Sequence, residues 1–449
     1  MNVLKKELYI AVRQTALTTQ KKEQYLEISQ IVSLLAEQIS AQTYQPSAYT
    51  CFAISDPTPR EILAPSYSDR IVHRWLINKM EPYIDKRMLS CSYANRKGKG
   101  HHKAVKQLQY YLNNPINKYY LKMDIESYFN SVDHATLLVL LERWISKLPY
   151  KENERTIIAS VAKAIVTHNP TQNVFYTGNK EKLKIIPRHK SYFYNAPGKG
   201  LPLGNLSSQF FANIYLHELD WFVKNKLPSP LSSGRGGGGE VGGRYYLRYV
   251  DDTVLLAETI EQLKEWKEKI SNFLKEELKL TPHPKKTILQ PTRYGIDFLG
   301  YIVKRKNILV RKRVVKNFKR KLYFYNYLLE PEKYPFRQMN GNGSIEKMYR
   351  NGKLKAPIMS APALSKNILS SINSYFGIFA KADTYRLRKS LYLNRFGNLQ
   401  KMFYANNSFQ KTGLMRKYQN LQHNSLAFVG VLKYLQKNAF IDIIHTANE

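Results

Sequence analysis

The sequence predicts a mixed α+β protein in which short antiparallel strands carry acidic residues and longer helices pack around them. Three observations lead there. From Tyr245 to Leu256, two β-forming runs flank the pair Asp251-Asp252. Tyr, Val, Leu and Thr suit a pleated, half-buried surface, and a two-residue polar break between such runs reads as a tight hairpin. Leu121-Lys122-Met123-Asp124-Ile125-Glu126-Ser127-Tyr128-Phe129 is a second short strand carrying an aspartate and ending in an aromatic. Elsewhere apolar residues recur at helical intervals, as in Ile71, Trp75, Leu76, Met80 and again in Phe211, Tyr215, Leu219, Phe222.

Two carboxylates at the tip of a buried hairpin are costly unless a cation neutralises them. Mg²⁺ suits them, because it takes hard oxygen ligands and is held by one or two carboxylates plus substrate phosphates. Asp124 is the candidate third carboxylate. Asp124, Asp251 and Asp252 together would hold two metals roughly 3.5–4 Å apart, an arrangement that stabilises both oxygens in phosphoryl transfer. The plain alternative is an exposed turn, since Asp is a common turn former.

The chain has 449 residues, enough for two or three domains. Lys and Arg number 70 against 34 Asp and Glu, a net charge of +36 that runs along the chain and does not sit in one tail. Such an excess implies a polyanionic partner, most simply nucleic acid. No apolar run of about eighteen residues and no amphipathic anchor is present, which argues against a membrane role. The 33 tyrosines beside so many cations suit stacking on unpaired bases, although core packing uses most of them. Cys51 and Cys91 form neither a metal-ligand spacing nor a disulfide framework, and the N-terminus has no signal-peptide core, so a cytoplasmic location is expected.

In chain order, residues 1–50 read as helical. The Pro-rich turn between Phe52 and Pro65 suggests a hairpin presenting Arg60. A helix opens at Asp69-Arg70, where Arg70 either meets a ligand or pairs with a local carboxylate. Ser92 to Lys103 is a basic loop punctuated by Gly98 and Gly100, ahead of a helix. Its backbone amides with Arg96, Lys97, Lys99 and Lys103 can hold phosphates; the alternative is a plain surface loop. His101-His102 has no partner ligands at a metal spacing. Ser131 or Asp133 caps the helix after Phe129. A helical stretch and a basic irregular insertion fill 140–195. Gly198 to Gln209 is a glycine loop entering a helix, its glycines permitting close approach to a ligand. Residues 227–243 form a Pro/Ser/Gly-rich linker, read as a mobile loop. An amphipathic helix covers 259–278, and Leu280 to Thr287 enters a strand carrying Lys286. Asp297-Phe298-Leu299-Gly300-Tyr301 gives a hairpin with Gly300 in the turn and Phe298 in the core. Beyond 305 the chain is basic and mostly helical, broken by a Pro/Gly/Asn loop at 331–356 and containing a helix pair from Ser370 to Arg388.

Tyr249-Val250-Asp251-Asp252, preceded by Asp124 with Phe129 five positions on, resembles the palm of reverse transcriptases. The segment 52–75 is similar to the fingers of bacterial members, and Gly198–Gln209 to the second palm motif. Leu203-Gly204 and Ser208-Gln209 stand where many members carry Gln-Gly and Ser-Pro. That variant looks like the enzymes of diversity-generating retroelements, with related antiphage defence enzymes as the other candidate role. The resemblance implies a right-hand polymerase fold: N-terminal helices and fingers over 1–117, palm over 118–310 with a fingers insertion at about 141–195, helical thumb over 311–399, and a helical extension over 400–449.

It also implies the chemistry. Asp124, Asp251, Asp252 and the Ile125 carbonyl would bind two Mg²⁺, with Mn²⁺ able to substitute. Arg60, Arg70, Phe129, Gly204, Gln209 and Lys286 would meet the incoming dNTP, Phe129 excluding a 2′-hydroxyl and Lys286 near the triphosphate. A strand-edge lysine is the alternative for Lys286, and a core aromatic for Phe129. Arg386 and Arg388 would join the loop cations on nucleic acid. The implied partners are an RNA template, a DNA primer and product, a dedicated non-coding RNA, and an accessory protein or second copy. Two other classes compete: a non-catalytic nucleic-acid-binding module on a polymerase fold, and an RNA-templated RNA polymerase, which Phe129 disfavours.

Overall fold

The computed structural model describes residues 3–15, 25–54, 59–178, 181–227, 245–329, 349–350, 353–354 and 361–415. The tip of the Arg60 hairpin, the glycine-rich linker from 228 on, nearly all of the 331–356 loop and the chain beyond 415 lie outside them. The chain divides into two compact units, Met1–Tyr294 and Gly295–Glu449.

The first unit opens with helices α1 (Val3–Thr15) and α2 (Tyr25–Ser40), then the hairpin β1 (Tyr49–Ile54) and β2 (Arg60–Ala64). Helix α3 (Tyr67–Arg87) starts where Ser66 accepts the Asp69 amide, and it buries Ile71, Trp75, Leu76 and Met80 as their spacing predicts. Then come α4 (His101–Asn113), β3 (Tyr119–Met123), the single turn α5 (Tyr128–Ser131), α6 (His134–Ile145) and α7 (Glu152–Thr167). Asp133, and not Ser131, caps α6, accepting the Thr136 amide at 2.9 Å. The insertion contains β4 (Val174–Tyr176) and the short α8 (Glu181–Lys184). It leads to α9 (Leu206–Asn225), β5 (Tyr245–Tyr249), β6 (Asp252–Ala257), α10 (Ile260–Glu276) and β7 (Ile288–Pro291).

Two sheets result. The four-stranded sheet runs β5-β6-β3-β7, with every neighbour antiparallel. The smaller sheet runs β2-β1-β4, with β4 parallel to β1. One core gathers Trp75 of α3, Leu121 of β3, Phe211 and Tyr215 of α9, and Trp266 of α10. Helix α10 buries Leu263, Trp266, Ile270 and Leu274, a single stripe at helical spacing, and leaves its charged face to water.

The second unit begins with a meander, β8 (Ile296–Phe298), β9 (Tyr301–Val303) and β10 (Ile308–Val310). Leu299 and Gly300 both take positive φ, 50° and 86°, as a two-residue type I′ hairpin turn requires, and Phe298 is buried. Helix α11 (Lys312–Leu329), the short pair β11 (Tyr349–Arg350) and β12 (Lys353–Leu354), α12 (Ala361–Phe379) and α13 (Tyr385–Arg395) follow. Phe318, Phe376, Phe379 and Phe396 form an aromatic core for this unit. Residues 400–415 correct the expected helical extension. They finish a 3₁₀ turn and form the hairpin β13 (Phe403–Ala405) and β14 (Thr412–Leu414), with Asn373 of α12 bonded to Thr412.

Candidate active site on the four-stranded sheet

Strand register brings the acidic residues together. Met123 of β3 pairs with Thr253 of β6, so Asp124 and Asp252 are the next opposed positions along the two strands. The β5–β6 ladder closes at Tyr249 with Asp252, which makes Val250-Asp251 the two-residue turn. This corrects the expected Asp251-Asp252 turn by one position. Asp252 begins β6, and Val250 takes the left-handed conformation with φ 57°.

The electrostatics follow from this arrangement. The Asp251 carboxyl is pushed up to about 7, first by burial, then by the charges of Asp124 and Asp252. Two ammonium groups offset part of the negative charge. Lys286 Nζ stands 3.0 Å from both Asp124 oxygens, and Lys122 Nζ stands 3.2 Å from Asp252 Oδ1. Beyond β3 an isolated bridge pairs Ile125 with Pro282. Its hydrogen bonds use the Asp124 carbonyl and the Glu126 amide, and the Ile125 carbonyl takes part in neither.

This donor set fits a hard divalent ion. It consists of carboxylates that repel one another and of lysines standing where a cation would act. Among the described residues no three His, Cys, Asp or Glu side chains are close enough to enclose an ion by themselves. Mg²⁺ sites completed by substrate phosphates and water need only one or two protein carboxylates.

The glycine loop docks beside Phe129. The Leu201 amide donates to the Phe129 carbonyl at 2.6 Å, the Gly200 amide to Val132 at 2.8 Å, and the His134 amide to Gly198 at 2.9 Å. Phe129 is half-buried, edge-on to Tyr128. Gly204 has a different reason to be glycine than the expected approach to a ligand. At φ 133°, a Cβ there would lie 2.3 Å from the Leu63 carbonyl oxygen of β2. The loop is bound to that strand, with the Leu63 amide donating to Leu203 at 2.8 Å. Gln209 is exposed in the first turn of α9.

The basic residues divide sharply. Arg60 is exposed at the start of β2. Arg70 has no carboxylate within ion-pair distance among the described residues. The adjacent carboxylate, Asp69, is taken by Tyr44, Ser47 and Ser66. Arg96 corrects the expectation of a nucleic-acid contact. Its five N–H donors go to Asp85 Oδ1 and to the carbonyls of Asp85, Met88, Leu89 and Ser92, so it closes the C-terminal end of α3. Lys99 donates to the Ser90 carbonyl at 2.8 Å and lies over the Tyr93 ring, while Lys97 and Lys103 are exposed. In the second unit Arg386 is exposed, but Arg388 is 5% exposed, a second correction.

Sequence reasoning passed over Lys122 and the buried pair Arg248–Asp220. The signal was present for Lys122, a cation two residues before Asp124, and for Arg248, the single charge in the otherwise uncharged β5.

A family model described as reverse transcriptase (RNA-dependent DNA polymerase) matches residues 55–303. Protein YkfC of Escherichia coli is 24% identical over 298 residues, 61% of this chain and 71% of that protein. The group II intron-encoded protein LtrA of Lactococcus lactis is 22% identical over 330 residues, 62% of this chain and half of LtrA. A solved telomerase from Candida tropicalis, in complex with a telomeric RNA fragment, aligns at 14% identity and a TM-score of 0.41, over 92% of this chain and 66% of that one. No described helix is long and apolar enough to cross a membrane. With its acidic hairpin, its opposed aspartate and more than half of its length matched, the chain belongs to the reverse transcriptase (RNA-dependent DNA polymerase) family.

Proposed function

We propose that this chain copies an RNA template into DNA by two-metal nucleotidyl transfer at Asp124, Asp251 and Asp252. The observation that carries the reading is the clustering of charge. Asp124 and Asp252 are opposed across β3 and β6 with Asp251 in the adjoining turn, and the Asp251 carboxyl, pushed up to about 7 first by burial and then by the charges of the other two, is poised to bind a cation. When bound, Mg²⁺ or Mn²⁺ would make the primer 3′-hydroxyl more acidic and neutralise the departing pyrophosphate. Asp124 and Asp251 hold the ions, Asp252 completes the negative field, and Lys122 steadies Asp252. Lys286 has an exposed side chain resting on Asp124, from which it can turn to the triphosphate oxygens. Phe129 lies beneath the sugar and excludes a 2′-hydroxyl. Arg60, Arg70 and Gln209 line the approach of the nucleotide. In this reading residues 1–117 act as fingers, 118–310 as palm and 311–399 as thumb, and the protein works in the cytoplasm.

The biological role proposed is a bacterial retroelement or antiphage system with its own non-coding RNA, served by an accessory protein or a second copy. The Leu203-Gly204 and Ser208-Gln209 variants favour the diversity-generating class.

Primer extension on poly(rA)/oligo(dT) tests the activity. Wild type should incorporate dTTP and reject UTP, and Asp251→Asn with Asp252→Asn should abolish incorporation while leaving RNA binding in place. Equal use of UTP would favour an RNA polymerase. Binding without incorporation, with Mg²⁺ and with Mn²⁺ and with co-purifying RNA supplied, would leave a binding module.

A further inference from the structure

Strand β5 is buried along Tyr246, Leu247 and Arg248. Tyr246 and Arg248 are two apart and share a face of the sheet. Both reach Asp220 of α9. The Tyr246 hydroxyl donates to Oδ1 at 2.7 Å, and Arg248 forks onto the carboxylate through Nε and Nη2, each at 2.7 Å. The arginine and aspartate side chains are 1% and 0% exposed. For stability alone a well-packed apolar pair serves such a place as well.

The remaining nitrogen of Arg248 is therefore informative. Nη1 donates to the Val250 carbonyl at 2.9 Å and reaches Asn213 Oδ1 at 3.3 Å. Val250 is the left-handed residue of the catalytic turn. A β-branched side chain is disfavoured in that conformation and stays there only where its surroundings over-determine it. The backbone of Arg248 is held as well, its amide donating to Cys91 at 2.8 Å and its carbonyl accepting from Tyr93 at 2.9 Å.

We propose that Arg248, anchored by Asp220, is a positioning residue that clamps the Val250 turn so that Asp251 meets Asp124 before any ion arrives. The Val250 carbonyl belongs to the peptide that enters Asp251, so holding it fixes the direction in which that carboxylate leaves the turn. Asn213 steadies the clamp, donating through Nδ2 to the Ala94 carbonyl at 2.7 Å. Lysine would keep the charge opposite Asp220 but has no planar fork to reach the turn at the same time. The inference rests on the polymerase reading above.

Arg248→Lys and Asp220→Asn, made in the full chain, test it through readouts beyond activity. In the folded variants Mn²⁺ binding, followed by electron paramagnetic resonance without nucleic acid, should weaken about 10–100-fold, as loss of groups that orient metal ligands does. Amide exchange at Val250–Thr253 should quicken in the metal-free protein. In primer extension kcat should fall and recover in part at high Mg²⁺, with KM for template–primer unchanged. Wild-type Mn²⁺ affinity and exchange in a folded Arg248→Lys would overturn the proposal. Failure of both variants to fold would overturn it too, since the pair would then only determine the fold. If wild type itself neither binds Mn²⁺ nor extends a primer, the polymerase reading falls first and takes the clamp with it.

Discussion

At the scale of single residues, Asp251 sets the behaviour of the site with pH. Its folded pKa is raised to about 7, above the ordinary aspartate value, by burial and by Asp124 and Asp252. The folded, ion-free protein therefore holds a proton that the unfolded chain releases earlier. This contribution to stability is fully present below the unfolded value and is lost as pH rises through about 7. In the proposed reading, a divalent ion binding at Asp251 would have to displace that proton. Its apparent affinity should climb about tenfold per pH unit below the folded value and level off above it. Thermal melting with and without Mg²⁺ should show a small stabilisation at pH 5 and a larger one at pH 8. Equal stabilisation at both would mean that the ion binds away from Asp251.

At the scale of elements, the glycine loop is the joint between the smaller sheet and the helix α9. Gly204→Ala would set a methyl group 2.3 Å from the Leu63 oxygen in a backbone conformation that L-residues rarely adopt. The expected loss is about 3 kcal/mol, read as a lower melting temperature, together with a higher KM for dNTP as β2 shifts. A neutral Gly204→Ala would show that the loop and β2 do not touch. Elements with a strong local signal were legible in the sequence, such as the amphipathic helix over 259–278 and the turn at Gly300. Strand β4 was not. Its partner is β1 over Tyr49 to Cys51, far upstream, and Phe175 and Tyr176 are both exposed, so no alternation marks it. The position of the acidic turn was legible to within one residue. Local propensity puts Asp-Asp in the bend, but strand register and the Arg248 contact put Val250 there instead. The opposition of Asp124 and Asp252 depends on pairing over more than a hundred residues, and chain chemistry alone could only suggest it.

At the scale of the whole molecule, charge is unevenly divided. Residues 295–449 carry 28 Lys and Arg against 7 Asp and Glu, a net +21 of the total +36. An excess of this size draws polyanions such as nucleic acid by their phosphates. A cation counts toward that attraction only if it is free to reach a phosphate. Lys97 and Arg386 are exposed, whereas Arg96 is occupied by carbonyls and Arg388 is buried. Neutralising Lys97 or Arg386 to Gln should lower the slope of log K against log salt by about one unit each and leave the melting temperature in place. Arg96→Gln should do the reverse. It removes a cation, its own side chain 7% exposed, that is paired with Asp85, so stability should drop by about 3 kcal/mol with the slope unchanged. Arg388→Gln should likewise leave the slope alone. Fluorescence anisotropy of a labelled RNA–DNA duplex across a salt series, with a melting curve for each variant, separates the two groups. A changed slope for Arg96→Gln in folded protein would return that residue to the nucleic-acid surface.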